Sequence, residues 1–212
     1  MYISGFDCNT PLDLEKYKNF KKKGYSFVGR HYSNAVVSKL LTKQDAENIT
    51  KAGLKIVAVF ETSPIKPEYF TYDKGRNDLL EATFRAIEIG QPDNSVIYFA
   101  VNFGAIAAHL PLIGEYFRGI CDEMKDFTSR DILKHHWNIG VYGSYSVVNY
   151  VNLKLKEVSN IWQTYSWSYG KIHSNCNIYQ YKNNVNILGI NINNNKGKTT
   201  KTLGIGSFSV GK

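Results

Sequence analysis

Residues 95–103 read SVIYFAVNF and residues 54–61 read LKIVAVFE. Apolar residues run almost continuously through both stretches, which is typical of strands that are covered on both faces. Between them, residues 78–89 form a predicted helix that ends at Gly90, a residue suited to a helix terminus. A buried strand, a helix and a second buried strand in this order predict a parallel β-α-β unit.

The same alternation continues on both sides of this unit. Further helices are predicted over residues 13–23, 41–52, 111–126 and 146–153. Further strands are predicted at YISGFD (2–7), GYSFVGRHY (24–32), WNIGVYGSY (137–145), SNIWQTY (159–165), NCNIYQY (175–181) and near ILGININ (187–193). Neither GxGxxG nor GxxxxGK[ST] occurs, which argues against an open nucleotide-binding sheet. The sequence therefore predicts an α/β protein with an irregular (β/α)8 TIM-type barrel of eight parallel strands.

The length of the chain favours a single domain. Its 212 residues are enough for one sizeable core and too few for two ordinary domains with a linker. We assign residues 1–195 to the barrel and residues 196–212 to a C-terminal tail that packs on the body or on a neighbouring molecule.

Composition and charge narrow the classes of partner. The formal net charge of +8 favours polyanions, among them the phosphate-bearing polymers of a bacterial wall. The run Lys21 to Lys23 follows no nucleic-acid-binding signature and is predicted to lie on a solvated helix face. The three cysteines lack metal-binding spacing, so the sequence predicts no metal, no disulfide and no cofactor.

The sequence also bears on where the protein acts. No apolar window is long enough to span a membrane, and the first residues, MYISGFDCNTPLD, lack the basic and apolar regions of a signal peptide. We therefore expect synthesis in the cytoplasm without a signal peptide. Action at the cell wall would then require release by lysis, by a helper protein or through a partner domain.

Several strings, in their order and spacing, carry a family resemblance over nearly the whole chain. They are GFDCNTPLD (5–13), GYSFVGRHYS (24–33), LTKQDAENITKAGLKIVAVFE (41–61), GQP (90–92), IYFAVNF (97–103), YFRGI (116–120), IGVYGSY (139–145) and IYQY (178–181). The chain resembles the glycoside-hydrolase-like barrel family catalogued as domain of unknown function 1906, which is related to muramidases of phage and fungal type. The resemblance implies a (β/α) barrel with its site at the carboxyl ends of the strands, and related enzymes cut the glycan of peptidoglycan.

Barrel geometry and the resemblance point to the same candidate site. Asp7, Glu61 and Asn102 end the first, third and fourth predicted strands, so they are the candidate catalytic residues. Polar and aromatic residues at the other strand ends are the candidate substrate-binding residues: Arg30, Tyr32, Tyr142, Gln163, Tyr165, Trp167, Gln180 and Asn191. The aromatic cluster Trp162, Tyr165, Trp167 and Tyr169 is predicted to flank the pocket mouth, where rings can stack on sugars.

The chain departs from the family where the chemistry is expected. The family usually reads AVDFDA after the fourth strand and the related muramidases read DxE, whereas residues 100–105 here read AVNFGA. Asn102 and Gly104 thus replace two acids, and Asn191 replaces a third in the family's GVDLN-like string. Glycoside hydrolysis normally needs two carboxyl groups, and an amide cannot donate a proton at a useful pKa. Asp7 and Glu61 are the remaining candidate acids.

Three functions stay open at this point. The first is a catalytically degenerate glycosidase, a pseudoenzyme that binds bacterial cell-wall glycan such as peptidoglycan. The second is an active peptidoglycan-lytic hydrolase that uses Glu61 and Asp7. The third is a structural protein that assembles with copies of itself, for which the Asn-rich C-terminal stretch is a weak cue.

Overall fold

A computed structural model describes residues 1–32, 40–62, 66–129, 135–199 and 204–211. Eight strands form one closed barrel in sequence order, so the predicted single-domain α/β barrel is confirmed. The strands are β1 (Tyr2–Asp7), β2 (Tyr25–His31), β3 (Lys55–Phe60), β4 (Val96–Ala100), β5 (Asn138–Gly143), β6 (Val158–Thr164), β7 (Ile178–Ile187) and β8 (Ile190–Lys198).

Helices cover the outside of the barrel. They are α1 (Leu14–Lys22), α2 (Lys43–Lys51), α3 (Tyr72–Ile89), α4 (Leu110–Ser129) and α5 (Tyr145–Lys154), with two short 3-10 helices at Pro67–Tyr69 and Ala107–His109. Helix α3 begins earlier than predicted, because Thr71 caps its first turn by accepting a hydrogen bond from the Lys74 amide. None of the helices in the described ranges combines the length and the apolar character that a membrane crossing requires.

The prediction of eight parallel strands is wrong for the last strand. Strands β1 to β7 pair in parallel from neighbour to neighbour, but β8 is antiparallel to both β7 and β1. A two-residue turn at Leu188 and Gly189 causes this reversal. Both residues have positive φ, 57° and 75°, as the tight turn of a β-hairpin requires. The predicted strand at residues 187–193 is thus the tip of a hairpin.

Two apolar clusters stabilise the barrel. The larger one lies between the strands and the surrounding helices. The smaller one fills the barrel interior with side chains from alternate strand positions, among them Phe27, Val57, Tyr98 and Trp162.

The C-terminal tail closes the end of the barrel at which the parallel strands begin. Ile205 is buried in the interior cluster, and its carbonyl accepts a hydrogen bond from the Tyr98 hydroxyl at 3.0 Å. Phe208 then pairs with Ile56 in an antiparallel bridge, and the Val210 amide donates to Thr50 on α2. Residues 204–211 therefore pack on the body of the domain, on the face opposite the carboxyl ends of β1 to β7.

Candidate functional site

A cavity of about 180 Å³ opens at the carboxyl ends of the parallel strands. It brings together Asp7 from β1, Glu61 after β3 and Asn102 after β4, as the strand ends predicted. Their catalytic role remains a prediction. The complete lining is Asp7, Asn9, His31, Val59, Glu61, Ala100, Asn102, Tyr142, Trp162, Gln180, Asn183, Asn184 and Asn193.

Asp7 is surrounded by side-chain amides. Its Oδ1 accepts a hydrogen bond from Asn193 at 2.7 Å, and its Oδ2 accepts bonds from Asn195 at 2.7 Å and from Gln180 at 2.9 Å. The Asn193 side-chain oxygen is itself occupied, because it accepts from the backbone amide of Asn184. Three donors around one carboxyl group are the arrangement that an ionised carboxylate accepts.

Two of these amides are oriented from inside the barrel. The Trp162 indole donates to Asn195 Oδ1 at 2.9 Å, and the Tyr142 hydroxyl donates to Gln180 Oε1 at 3.0 Å. Each amide oxygen is thereby turned away from Asp7 and each NH2 group is turned toward it. The network connects β1, β5, β6, β7 and β8, so it holds the Asp7 carboxyl group in one orientation.

Burial and hydrogen bonding act against each other on Asp7. Burial raises the pKa of Asp7 above its ordinary value, and the hydrogen bonds from Asn195, Gln180 and Asn193 and the electrostatic interaction with His31 oppose that rise. The pKa of the Tyr142 phenol is also raised, first by burial and then by the negative charges of Asp7 and Glu61. Tyr142 is therefore a neutral phenol, and its hydroxyl donates to Gln180 Oε1 in the same cavity wall.

Glu61 lies within hydrogen-bonding distance of two nitrogen atoms. Asn102 Nδ2 donates to Glu61 Oε1 at 2.6 Å, and His31 Nε2 lies 2.9 Å from Glu61 Oε2. The Nδ1 atom of His31 is buried and has no hydrogen-bond partner within the described ranges. Glu61 thus contacts an amide and an imidazole, and the amide belongs to Asn102, where the resemblance implies an acid.

The strand pleat corrects two predictions on β2. Successive side chains point to opposite faces of a strand, and on β2 it is Phe27, Gly29 and His31 that face the barrel interior. Arg30 and Tyr32 therefore point into the helix layer, so their predicted placement in the pocket is wrong. His31, which lies between them at the end of β2, lines the cavity instead.

Arg30 and Tyr32 have buried structural contacts instead. Arg30 pairs with Asp45 of α2 at 2.9 Å and donates to the carbonyl of Cys8 at 2.8 Å. The Tyr32 hydroxyl donates to the Gln91 side chain at 2.5 Å. Arg30 thus holds the loop that follows Asp7, which makes it a positioning residue.

The other predicted binding residues divide between the cavity and its surroundings. Tyr142 and Gln180 line the cavity. Gln163 is fully buried and secures the loop after β6 by donating to the Lys171 carbonyl and accepting from the His173 amide. Asn191 lies on the β7–β8 hairpin and lines an adjoining groove.

The four rings of the predicted aromatic cluster lie in different environments. Trp162 is buried and forms part of the cavity wall, whereas Tyr165 and Trp167 are partly exposed on the loop after β6 and Tyr169 is almost fully exposed. Trp167 has a positive φ of 55°, an uncommon conformation for a bulky residue. Its ring covers Gly104, since a Cβ atom at Gly104 would lie 3.0 Å from Trp167 Cδ1.

Sequence reasoning missed most of the amides in the site. Asn193 and Asn195 contact Asp7, and the cavity wall also contains Asn9, Asn183 and Asn184. Strand alternation could have identified His31 in place of its neighbours. In the described part of the chain, no group of three or more His, Cys, Asp or Glu residues is placed to hold a metal ion.

Comparison with known protein families matches residues 18–196 to the Rv2525c-like, glycoside hydrolase-like domain. The chain belongs to this family. The glycoside-hydrolase-like character that the sequence predicted is thereby confirmed. The uncharacterized protein FadG of Bacillus subtilis is 31% identical over 152 residues, a match that covers 70% of this chain and 26% of FadG. This chain therefore spans about a quarter of the length of FadG.

Two solved structures share the fold at low sequence identity. The Tat-secreted protein Rv2525c of Mycobacterium tuberculosis, in complex with L-tartrate, superposes with a TM-score of 0.75 at 16% identity, over 93% of this chain and 95% of that one. The modular autolysin LytC of Streptococcus pneumoniae, in complex with a synthetic peptidoglycan ligand, has a TM-score of 0.64 at 13% identity. That superposition covers 92% of this chain and 46% of LytC.

Proposed function

We propose that this domain binds bacterial cell-wall glycan, with peptidoglycan as the polymer, and that it hydrolyses the glycan slowly or not at all. Membership of a glycoside hydrolase-like family and the likeness to an autolysin that binds a peptidoglycan ligand support the substrate class. The location and polar lining of the cavity support the site.

The residues after β4 carry the proposal of lost catalysis. Asn102 lines the cavity where the resemblance implies an acid, and Gly104 stands where the DxE string of the related muramidases has a glutamate, which the resemblance implies to be the proton donor. Trp167 covers Gly104, so the ring occupies space that a longer side chain would need. Proton donation to the leaving group contributes about 10²- to 10⁴-fold to such reactions, and neither Asn102 nor Gly104 can supply the proton.

The remaining polar groups suit binding. Side-chain amides both donate and accept hydrogen bonds, as sugar hydroxyl and acetamido groups do. Asp7 and Glu61 add acceptors whose orientation is set by neighbouring amides. A fixed set of polar groups lowers the entropic cost of ordering the site around a ligand.

An active hydrolase is the second candidate. It is favoured by one observation, the presence of both Asp7 and Glu61 in the wall of the same cavity. In that mechanism Glu61 would protonate the leaving oxygen and Asp7 would stabilise or attack the sugar carbon. Glu61 would first have to exchange its contacts with His31 and Asn102 for contacts with the substrate.

Purified peptidoglycan distinguishes the two candidates. We expect the wild-type protein to sediment with insoluble peptidoglycan and to release no reducing ends above the blank. Asp7→Asn should weaken sedimentation, because an amide in place of the carboxylate cannot accept from all three donors. Glu68→Gln, at an exposed position on the Pro67–Tyr69 helix, is the matched control and should bind like wild type.

Two results would contradict the proposal. If the wild-type protein does not sediment with peptidoglycan, the proposal that the domain binds this glycan is wrong. Reducing-end release that disappears in Glu61→Gln would instead establish the hydrolase and make Glu61 its general acid.

A further inference from the structure

The strands β7 and β8 continue beyond the rim of the barrel as a two-stranded ribbon. The pairing of β7 with β6 ends at Gln180, and the pairing of β8 with β1 ends at Asn193 opposite Asp7. Pairing between β7 and β8 nevertheless continues to Ile187 and Ile190 at the turn. The ribbon therefore stands above the carboxyl end of β1, beside the cavity.

The ribbon has one apolar face and one amide face. Val185, Ile187, Ile190 and Ile192 belong to or pack against the main apolar cluster, which fixes the ribbon on the body of the domain. The alternate positions carry asparagine side chains: Asn184, Asn186, Asn191 and Asn193. This pattern places a row of amides on the face that does not pack on the core.

A bulge turns the base of the ribbon toward the cavity. The register of β7 against β8 shifts between Lys182 and Val185, and Asn184 has a positive φ of 55°. Bulges of this kind redirect side chains at barrel rims. Asn183 and Asn184 both line the cavity, and the buried Asn183 Oδ1 has no hydrogen-bond partner within the described residues.

A groove of about 520 Å³ lies between the ribbon and the loop after β1. Its wall shares Asp7, Asn9, Asn184 and Asn193 with the cavity, and Asn191 belongs to the groove side. Ligand pockets in proteins usually measure about 300–1,000 Å³, so the cavity of about 180 Å³ is small for a ligand of ordinary size. A polymer that enters the cavity has to continue outward, and the adjoining groove offers space for it.

The groove is almost free of charge among the residues that line it. Burial raises the pKa of the Cys8 thiol to about 11, so this side chain is neutral at physiological pH. Asp7 is the single ionisable carboxyl group of the lining, and its oxygens are occupied by three amides. An anionic ligand would lose water here without gaining an opposite charge, whereas a neutral ligand with amide and hydroxyl groups can exchange its water for hydrogen bonds to the asparagines.

We propose that this asparagine-lined groove is a second binding site, specific for a neutral, N-acetylated sugar unit of the glycan whose neighbouring unit occupies the cavity. This inference rests on the proposed function. The groove thus selects acetamido and hydroxyl groups and disfavours anionic units, whether acidic peptides or phosphate polymers.

Oligomers of N-acetylglucosamine test the groove by isothermal titration calorimetry. We expect the tetramer to bind more tightly than the monosaccharide, because a single unit cannot occupy the cavity and the groove together. Asn191→Ala should weaken tetramer binding about threefold to tenfold and change monosaccharide binding less. Asn184→Gly, which keeps the positive φ and removes the amide, should weaken both ligands because Asn184 lines both sites. Asn175→Ala is the matched control, since Asn175 is exposed and outside both linings.

Sedimentation with insoluble peptidoglycan, measured in parallel, separates the two proposals. If the wild type binds peptidoglycan and Asn191→Ala has unchanged affinity for the tetramer, the proposal that the groove is a second binding site is wrong and the proposed function stands. Equal affinity for the tetramer of glucosamine, which lacks the acetyl groups and is cationic, would overturn the assigned specificity. Absence of binding to both peptidoglycan and the oligomers would overturn the proposed function itself.

Discussion

The indole ring of Trp167 lies against the backbone of Gly104. A Cβ atom built on Gly104 would be 3.0 Å from Trp167 Cδ1 and 3.2 Å from Trp167 Nε1. These distances are shorter than an ordinary van der Waals contact, so a side chain at position 104 requires the ring to move. The loop after β6 thus occupies the space that a side chain at position 104 would need.

Restoring the family's acids therefore requires more than Asn102→Asp. The new carboxylate would replace an amide that donates to Glu61 Oε1 at 2.6 Å, and two acids at this distance share a proton at neutral pH. We expect no hydrolysis from Asn102→Asp alone and little from Asn102→Asp with Gly104→Glu. Addition of Trp167→Ala should make room for the new Glu side chain and give the largest release of reducing ends from peptidoglycan.

Trp167→Ala in the wild-type background controls for the loss of the ring itself. Equal activity of the double and triple variants would show that Trp167 does not obstruct position 104. Hydrolysis by Asn102→Asp alone would show that the donor at position 104 is dispensable.

Trp167 should also report on ligand binding. Trp137 and Trp162 are each 1% exposed, whereas Trp167 is 43% exposed. If a sugar stacks on this ring, peptidoglycan fragments should shift the tryptophan emission and reduce its quenching by acrylamide. Trp167→Ala should abolish the shift and weaken binding, while Phe84→Ala, at a position 69% exposed on α3, should leave both unchanged. An emission shift that persists in Trp167→Ala would place the ligand elsewhere.

The sequence predicts the barrel and the strand ends that carry the site, but not the direction of the last strand. Near-continuous apolar strands separated by helices gave the α/β barrel, and strand ends located Asp7, Glu61 and Asn102. The antiparallel β8 was missed because a Leu–Gly pair is a weak turn signal, although both residues adopt positive φ in the structure.

The site residues that were missed depend on contacts across the barrel. Asn193 and Asn195 reach Asp7 only because β8 closes against β1, a pairing between the two ends of the chain. The end of β2 alone does not show which side chain enters the cavity. The alternation of side chains along the strand places His31 inside and Arg30 outside. The tail was assigned to packing on the body or on a neighbour, and local sequence carries no signal for the buried position of Ile205 under Tyr98.

The burial of Ile205 in the C-terminal tail leads to a prediction about the stability of the domain. Ile205 is 3% exposed and belongs to the barrel-interior cluster, so Ile205→Ala would leave a cavity there. We expect the free energy of unfolding to fall by about 2–4 kcal/mol. Urea denaturation measures this change, and Ile106→Ala, at a position 60% exposed, should change it by less than about 0.5 kcal/mol. Equal stability of the two variants would mean that the tail does not contribute to the core.

Asp78 gives the domain a pH-dependent stability. It is buried on α3 and accepts hydrogen bonds from the hydroxyls of Tyr69, at 2.9 Å, and Tyr116, at 2.6 Å. Burial raises the pKa of Asp78 from 3.8 to about 6, and the tyrosine hydrogen bonds only partly oppose the rise. The folded state thus binds a proton that the unfolded state has already released, over the range from about pH 4 to about pH 6.

The sign of the effect follows from this difference. When the pKa of an acid is higher in the folded state, stability is greatest below the unfolded pKa and falls as pH rises through the folded pKa. A pKa shift of about two units corresponds to a loss of up to about 3 kcal/mol in the free energy of unfolding between pH 4 and pH 7.

Asp78→Asn tests this prediction, because it removes the titrating group and keeps a side-chain oxygen for the tyrosine hydroxyls. Wild type should therefore lose stability relative to Asp78→Asn over this range, as measured by urea denaturation at several pH values. Glu68→Gln, on an exposed side chain, should follow the wild-type profile, and parallel profiles for wild type and Asp78→Asn would contradict the assignment.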